Sequence, residues 1–250
     1  MNRIARPDGF LIGIHLPRAA TAGCALLALT LLTYQTVRSA DAEKRAAEAA
    51  AGAKDDKATK DKKLSLFDGK SLAGWKVTKF GGEGDVHVKD GQIVLEMGND
   101  LTGITATKKV PTMNYEVSLE AMRLRGSDFF CGLTFPVKDD PCTLIVGGWG
   151  GGLCGLSSIG GYDASENETS SHREFVSNKW YRIRVRVSER KIEAWIDDEK
   201  IVNHTLDDRK LSVRLEVELS RPFGIATWQT AAALRKIEIR ELSATPAKGK

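Results

Sequence analysis

From Leu64 onward the chain alternates apolar and polar residues with a period of two. In the stretch 180–198, Tyr181, Ile183, Val185 and Val187 fall on one side of an extended backbone, with Trp180, Arg182, Arg184 and Arg186 on the other. A polar turn at 188–191 follows, after which Ile192, Ala194 and Ile196 alternate with Glu193 and Trp195. The two runs predict a β-hairpin with a core side and a charged side. Val213, Leu215, Val217 and Leu219 alternate with Arg214, Glu216, Glu218 and Ser220, which predicts another strand of the same kind. An Asp90-Gly91 turn separates two more short apolar runs. Helical periodicity is nearly absent after Leu64, so the expected fold is all-β, a two-sheet antiparallel β-sandwich.

The pattern changes before Leu64. Arg3, Arg6 and Arg18 precede an uncharged run at 19–37, the order of an export signal. Its length also suits a membrane anchor, so residues 1–42 are read as a signal peptide or an N-terminal anchor, a hydrophobic helix in either case. Residues 43–63 are rich in Ala, Lys, Asp and Glu, which predicts a disordered linker. The sandwich is assigned to 64–243 and a short tail to 244–250. The expected location is periplasmic or extracellular, with membrane contact only through the N-terminal segment if it is uncleaved.

The chain of 250 residues carries a formal charge of +4, but from Leu64 to Lys250 there are 26 Lys and Arg against 26 Asp and Glu. The excess lies ahead of the domain, and a neutral domain lacks the basic footprint of a nucleic-acid binder. Cys131, Cys142 and Cys154 follow the leader. A turn centred near Gly148 would make Cys142 and Cys154 cross-strand neighbours able to form a disulfide; the alternative is three buried thiols. No metal-ligand spacing involves these cysteines or His87 and His204, and no metal site is assigned.

The run Leu66-Phe67-Asp68-Gly69-Lys70-Ser71-Leu72-Ala73-Gly74-Trp75 resembles the opening signature of the 3-keto-disaccharide hydrolase family, whose members act as 3-keto-glucoside lyases and hydratases. The segments 86–95, 114–120, 180–197, 224–228 and 234–242 are similar to its later strands. The resemblance implies a concanavalin A-like jelly roll and a carbohydrate or 3-keto-sugar glycoside as the partner. The middle of the domain departs from the family pattern: 128–135 and the glycine-rich 147–152 replace the usual segment there. Catalytic candidates therefore come from the strand pattern, not from a motif.

Glu216 and Glu218 would share one strand face about 6–7 Å apart, within range of a pair of glycosidase carboxylates. Glu120, on an outward face, is the third candidate acid or base. The competing reading is a ladder of charges with Arg182, Arg184 and Arg186, without chemistry. For sugar binding, Trp149 stands among glycines where a flat ring is free to stack, the alternative being a core plug for a bulged strand. The polar loop after Cys154 adds Tyr162, Asp163, Glu166, Asn167, His172 and Arg173. Asp163, Glu166 and Glu168 are also hard oxygen ligands for Ca²⁺, though without ordered spacing. Trp228 is assigned to the core. The functional alternatives are a 3-keto-glycoside hydrolase or lyase, a non-catalytic lectin-like module, and an envelope scaffold.

Overall fold

A computed structural model describes residues 63–243 of the protein. The predicted leader helix and most of the linker lie outside the described residues. Among those described, fifteen strands form two antiparallel sheets. The strands are β1 (Lys63–Ser65), β2 (Trp75–Val77), β3 (Val86–Lys89), β4 (Gln92–Leu95), β5 (Leu101–Ala106), β6 (Tyr115–Arg125), β7 (Cys131–Val137) and β8 (Asp140–Gly148). They continue as β9 (Leu153–Ser157), β10 (Ser171–His172), β11 (Tyr181–Val187), β12 (Lys191–Ile196), β13 (Glu199–Thr205), β14 (Gly224–Trp228) and β15 (Ala231–Glu241). One sheet runs β13-β12-β11-β6-β15-β4-β3, with β1 paired to β15; the other runs β10-β9-β8-β7-β14-β5-β2. The sandwich expected from the alternation is therefore observed, and sequence-distant strands such as β6 and β15 lie side by side.

The predicted hairpin is β11–β12, with Val187 opposite Ile192 and Ile183 opposite Ile196. Tyr115, Val117, Leu119 and Ala121 of β6 join its apolar side and are fully buried. They pack against Leu133, Phe135, Leu144, Val146, Leu156 and Ile225 of the second sheet. Each large aliphatic side chain buried there contributes about 1.5–3 kcal/mol. The polar tips of two buried aromatics are satisfied: Tyr115 donates to the Pro136 carbonyl at 2.7 Å, and the Trp75 indole N–H donates to the Leu66 carbonyl at 2.7 Å.

The outward side of the β6 sheet is the charge ladder of the competing reading. Glu116 accepts from Arg186 and Arg240, with Arg184 3.5 Å away, and Arg184 stacks 4.1 Å from the Trp195 ring centre. Glu120 is held by Arg235 at 2.6 Å and Lys236 at 2.8 Å.

Three expectations are corrected. Cys142 and Cys154 are free and buried, because β8 and β9 pair Val146 with Cys154 while Cys142 faces Phe135 of β7. The strand expected at 213–219 is the 3-10 helix Leu215–Ser220, with Val217 and Ser220 buried. Residues three apart eclipse in such a helix, so Val217 and Ser220 reach the second sheet while Leu215 and Leu219 are left in solvent. The loop after β9, read from sequence as polar, is anchored by residues buried in it, Ala164 and Thr169.

These two segments cover part of the outer face of the β8 sheet. Ala164 and Val217 join Leu101, Phe129, Ile145, Leu153 and Ala226 in a second, smaller apolar cluster there. Any site on that face is bounded by this cover.

Candidate functional site

A cleft of about 220 Å³ lies beside the cover, on the outer face of the second sheet. Thr143 and Ile145 of β8, Ser157 of β9 and Trp228 of β14 belong to the sheet; Phe129 and Asp128 come from the turn before β7. The 3-10 segment supplies Arg214, Glu216 and Val217, and the β8–β9 turn supplies Trp149. Trp149 is 44% exposed, so its ring is available to a ligand.

The hairpin carrying Trp149 is held from below. Along β6 the core-facing series Tyr115, Val117, Leu119, Ala121 continues to Arg123, a cation in an apolar position. Its Nη2 donates to the Gly151 carbonyl at 2.7 Å and reaches the Gly147 carbonyl at 3.4 Å. The guanidinium also lies 5.2 Å from the Phe130 ring centre. Burial holds its pKa below the usual arginine value. A Cβ on Gly147 would stand 2.6 Å from Arg123 Nη2, and one on Gly151 3.0 Å from Nη1, so the glycines make room for this approach. Asp128 adds contacts from the side, accepting from Phe129 N at 2.7 Å and Gly150 N at 3.4 Å. Trp149 itself sits at a φ of 46°, a left-handed conformation that costs a bulky residue about 1–2 kcal/mol. Backbone strain of this kind concentrates at ligand sites.

Arg214 organises the opposite wall. It pairs with Glu216 through two contacts of 2.9 and 3.3 Å, with Asp163 at 2.6 Å, and lies 5.9 Å from the Trp149 ring centre. The hydrogen bonds from Arg214 hold the Glu216 carboxyl below its ordinary value of 4.5, so it is ionised at neutral pH. The Ser157 hydroxyl is buried in the cleft lining with no protein hydrogen-bond partner.

Of the residues predicted from the sequence, Trp149 and Glu216 line this cleft, and Asp163 touches it through Arg214. The others are elsewhere. Glu218 pairs with Arg221 on the other side of the 3-10 helix, and Glu120 lies on the outer face of the other sheet, so the three glutamates do not form one site. Asn167 is consumed by the loop: its amide donates to the Leu156 and Asp163 carbonyls, both at 2.7 Å, and its oxygen accepts from Thr169. Tyr162 and Glu166 are exposed and outside the lining. His172 is in β10 opposite Leu153, and Arg173 is engaged by Asp197, Glu199 and the Ile196 carbonyl.

Asp163, Glu166 and Glu168 do not converge on a cation. Asp163 faces Arg214, whereas Glu168 binds Arg209 and His204. Among the described residues no cluster of three or more His, Cys, Asp or Glu is placed to hold a metal.

Trp228 is half-buried in the cleft, not in the main core. Arg123, Asp128, Ser157 and Arg214 were missed by the sequence reading. Only Arg123 carried a signal, as a charge on the apolar side of an alternating strand.

The sequence profile of the 3-keto-alpha-glucoside-1,2-lyase-like domain matches residues 62–240. Among solved structures, a Bacillus subtilis protein of unknown function with a galectin-like fold superposes with a TM-score of 0.53 at 11% identity, over 74% of this chain and 96% of that one. The Crh5 transglycosylase in complex with NAG gives 0.50 at 14% identity, over 76% and 87%. A sialidase gives 0.50 at 10% identity, over 74% of this chain and 18% of its own. At such identities these likenesses show the fold alone. No curated protein matches the chain in sequence.

Proposed function

The chain belongs to the 3-keto-alpha-glucoside-1,2-lyase-like family, and from that premise we propose that its cleft binds a 3-keto-glucoside and cleaves the glycosidic bond by elimination. The observation that carries the reading is the Arg214–Glu216 pair beside the exposed Trp149 ring.

Direct hydrolysis by two carboxylates requires one of them to be protonated as a general acid. Glu216 is ionised, and Asp128 is committed to backbone N–H groups. Elimination from a 3-keto sugar makes a lesser demand, because the ketone acidifies the hydrogen on C2. In this reading Glu216 takes that proton as a general base, and the electron pair of the C2–H bond moves onto the ketone as an enolate. Arg214 stabilises the negative oxygen. When the C3 carbonyl re-forms, the C1–C2 double bond forms and the bond from C1 to the aglycone oxygen breaks. The aglycone leaves as an anion and is protonated on release; addition of water across the double bond completes net hydrolysis. Trp149 holds the sugar by stacking. The apolar run at 19–37 supports export to the periplasm or beyond.

Incubation of the full chain with 3-keto-glucosides and their unoxidised parents, followed by product release, tests this. Turnover of the keto forms alone, lost in Glu216→Gln, is expected. Sugar binding without turnover in the wild type would instead support a lectin-like module.

A further inference from the structure

We propose that the inner part of the cleft takes the aglycone, and that this aglycone is a hydroxylated aryl group. The inference rests on the sugar-binding reading above and extends it from the sugar to its leaving group.

The interior has little hydrogen bonding left to offer. Phe129, Ile145, Val217 and Trp228 are apolar walls. The Thr143 hydroxyl is paired with that of Thr134 at 2.9 Å, and Asp128 serves the Trp149 hairpin. A sugar ring placed there would leave several hydroxyls unpaired, each at a cost comparable to a lost hydrogen bond. The ionic groups Arg214 and Glu216 stand with Trp149, so a sugar ring is served there and not against the apolar walls.

Among the lining residues, one fully buried polar atom lacks a protein partner: Ser157 Oγ. An apolar ring bearing one hydroxyl matches this inventory, since its faces meet the walls and its single oxygen pairs with Ser157 Oγ once a rotation of that buried side chain brings the hydroxyl to the cleft surface.

The chemistry points the same way. With Glu216 unprotonated at the outset, the easiest group to expel is one stable as an anion. A phenol ionises near ~10, as tyrosine does, so a phenolate departs without prior protonation and takes its proton from solvent afterwards. The alkoxide of a second sugar is far more basic.

Calorimetric titration of the full chain carrying Glu216→Gln, which binds without turnover, with the 4-hydroxyphenyl, phenyl and methyl 3-keto-glucosides and with a 3-keto-disaccharide tests the inference. Burial of the ring predicts that the 4-hydroxyphenyl compound binds about tenfold or more tighter than the methyl compound and the disaccharide. Its advantage over the phenyl compound should vanish in Ser157→Ala, and the aryl-over-methyl ratio should fall in Val217→Thr. The methyl compound serves as the internal reference for the fold of each variant. Equal affinities for all four in the Glu216→Gln chain, with Ser157 and Val217 intact, would overturn the aryl assignment and leave the sugar reading standing. Binding of none of them would overturn both.

Discussion

Arg123 and Gly151 are joined by a 2.7 Å hydrogen bond from a buried guanidinium to a backbone carbonyl, linking the core side of one sheet to the hairpin that presents Trp149 from the other. A rigid aromatic platform at the cleft thus depends on a residue that never reaches the cleft. Replacing Arg123 by Leu removes the donor and leaves the Gly151 and Gly147 carbonyls short of a partner, at a cost of about 1–3 kcal/mol. Urea unfolding should register that loss, and time-resolved anisotropy should show a looser Trp149 in the folded state.

Trp149→Gly should separate binding from stability. The ring is 44% exposed and its backbone sits at a φ of 46°, so glycine relieves local strain while adding chain entropy in the unfolded state. The two effects offset, and stability should stay within about 0.5 kcal/mol of wild type. In the Glu216→Gln background, titration with methyl 3-keto-glucoside should show affinity reduced about tenfold or more, because ring-stacking contacts of this size contribute over ~1 kcal/mol.

Glu116 is a nearly buried carboxylate shared by Arg184, Arg186 and Arg240. Glu116→Gln keeps the shape but leaves arginines crowded without their counter-charge. The expected loss is about 2–4 kcal/mol, read from the shift in urea midpoint at unchanged slope. Turnover per folded molecule should be unaffected, since this face is on the other sheet from the cleft.

The pH dependence of stability has an assigned contributor. Glu168 is lowered from 4.5 to about 2, chiefly by its hydrogen bonds with Arg209, with His204 nearby. A folded-state pKa below the unfolded value means that stability is fully present above about pH 4.5 and is lost as pH falls toward 2. The pair is half-exposed and screened by solvent, so the effect is modest. Glu168→Gln should lose less stability than wild type between those pH values in parallel thermal melts.

If Glu216 is the base of the proposed elimination, it sets the acid limb of activity by the same sign. Its carboxyl is held below 4.5 by Arg214, so kcat/KM for a 3-keto-glucoside should hold level as pH is lowered to that value and fall only beneath it. Arg214→Met should move the limb upward, a displacement that mere loss of packing would not produce.

How much of this was legible beforehand differs by level. Alternation along β6, β11 and β12 identified the core faces, because a half-buried strand repeats every two residues whatever its neighbours are. The same rule misplaced 213–219: its apolar spacing is strand-like, yet what decides the local structure is the outer face of the second sheet, which accepts Val217 and Ser220 at 3-10 spacing. The indole at 149 stood out through its glycine neighbours. Ser157, Asp128 and Arg214 did not, since they are ordinary residues until β7, β8, β9 and the 3-10 segment bring them to one cleft. Glu120 and Glu216 looked alike in sequence; what separates them is that β6 puts Glu120 on the outer face of one sheet, whereas Glu216 sits on the 3-10 helix that covers the other. Asn167 looked like a ligand donor because its loop is polar, whereas its amide closes that loop on itself.

The most direct test is a crystal structure of the full chain carrying Glu216→Gln, which does not turn over, with bound 3-keto-glucoside. The account predicts density for a pyranose ring against the Trp149 indole, with C2 facing the side chain at 216 and the ketone facing Arg214. A sugar bound elsewhere, for instance on the arginine-bearing face around Glu116, with the Trp149 cleft vacant, would contradict it.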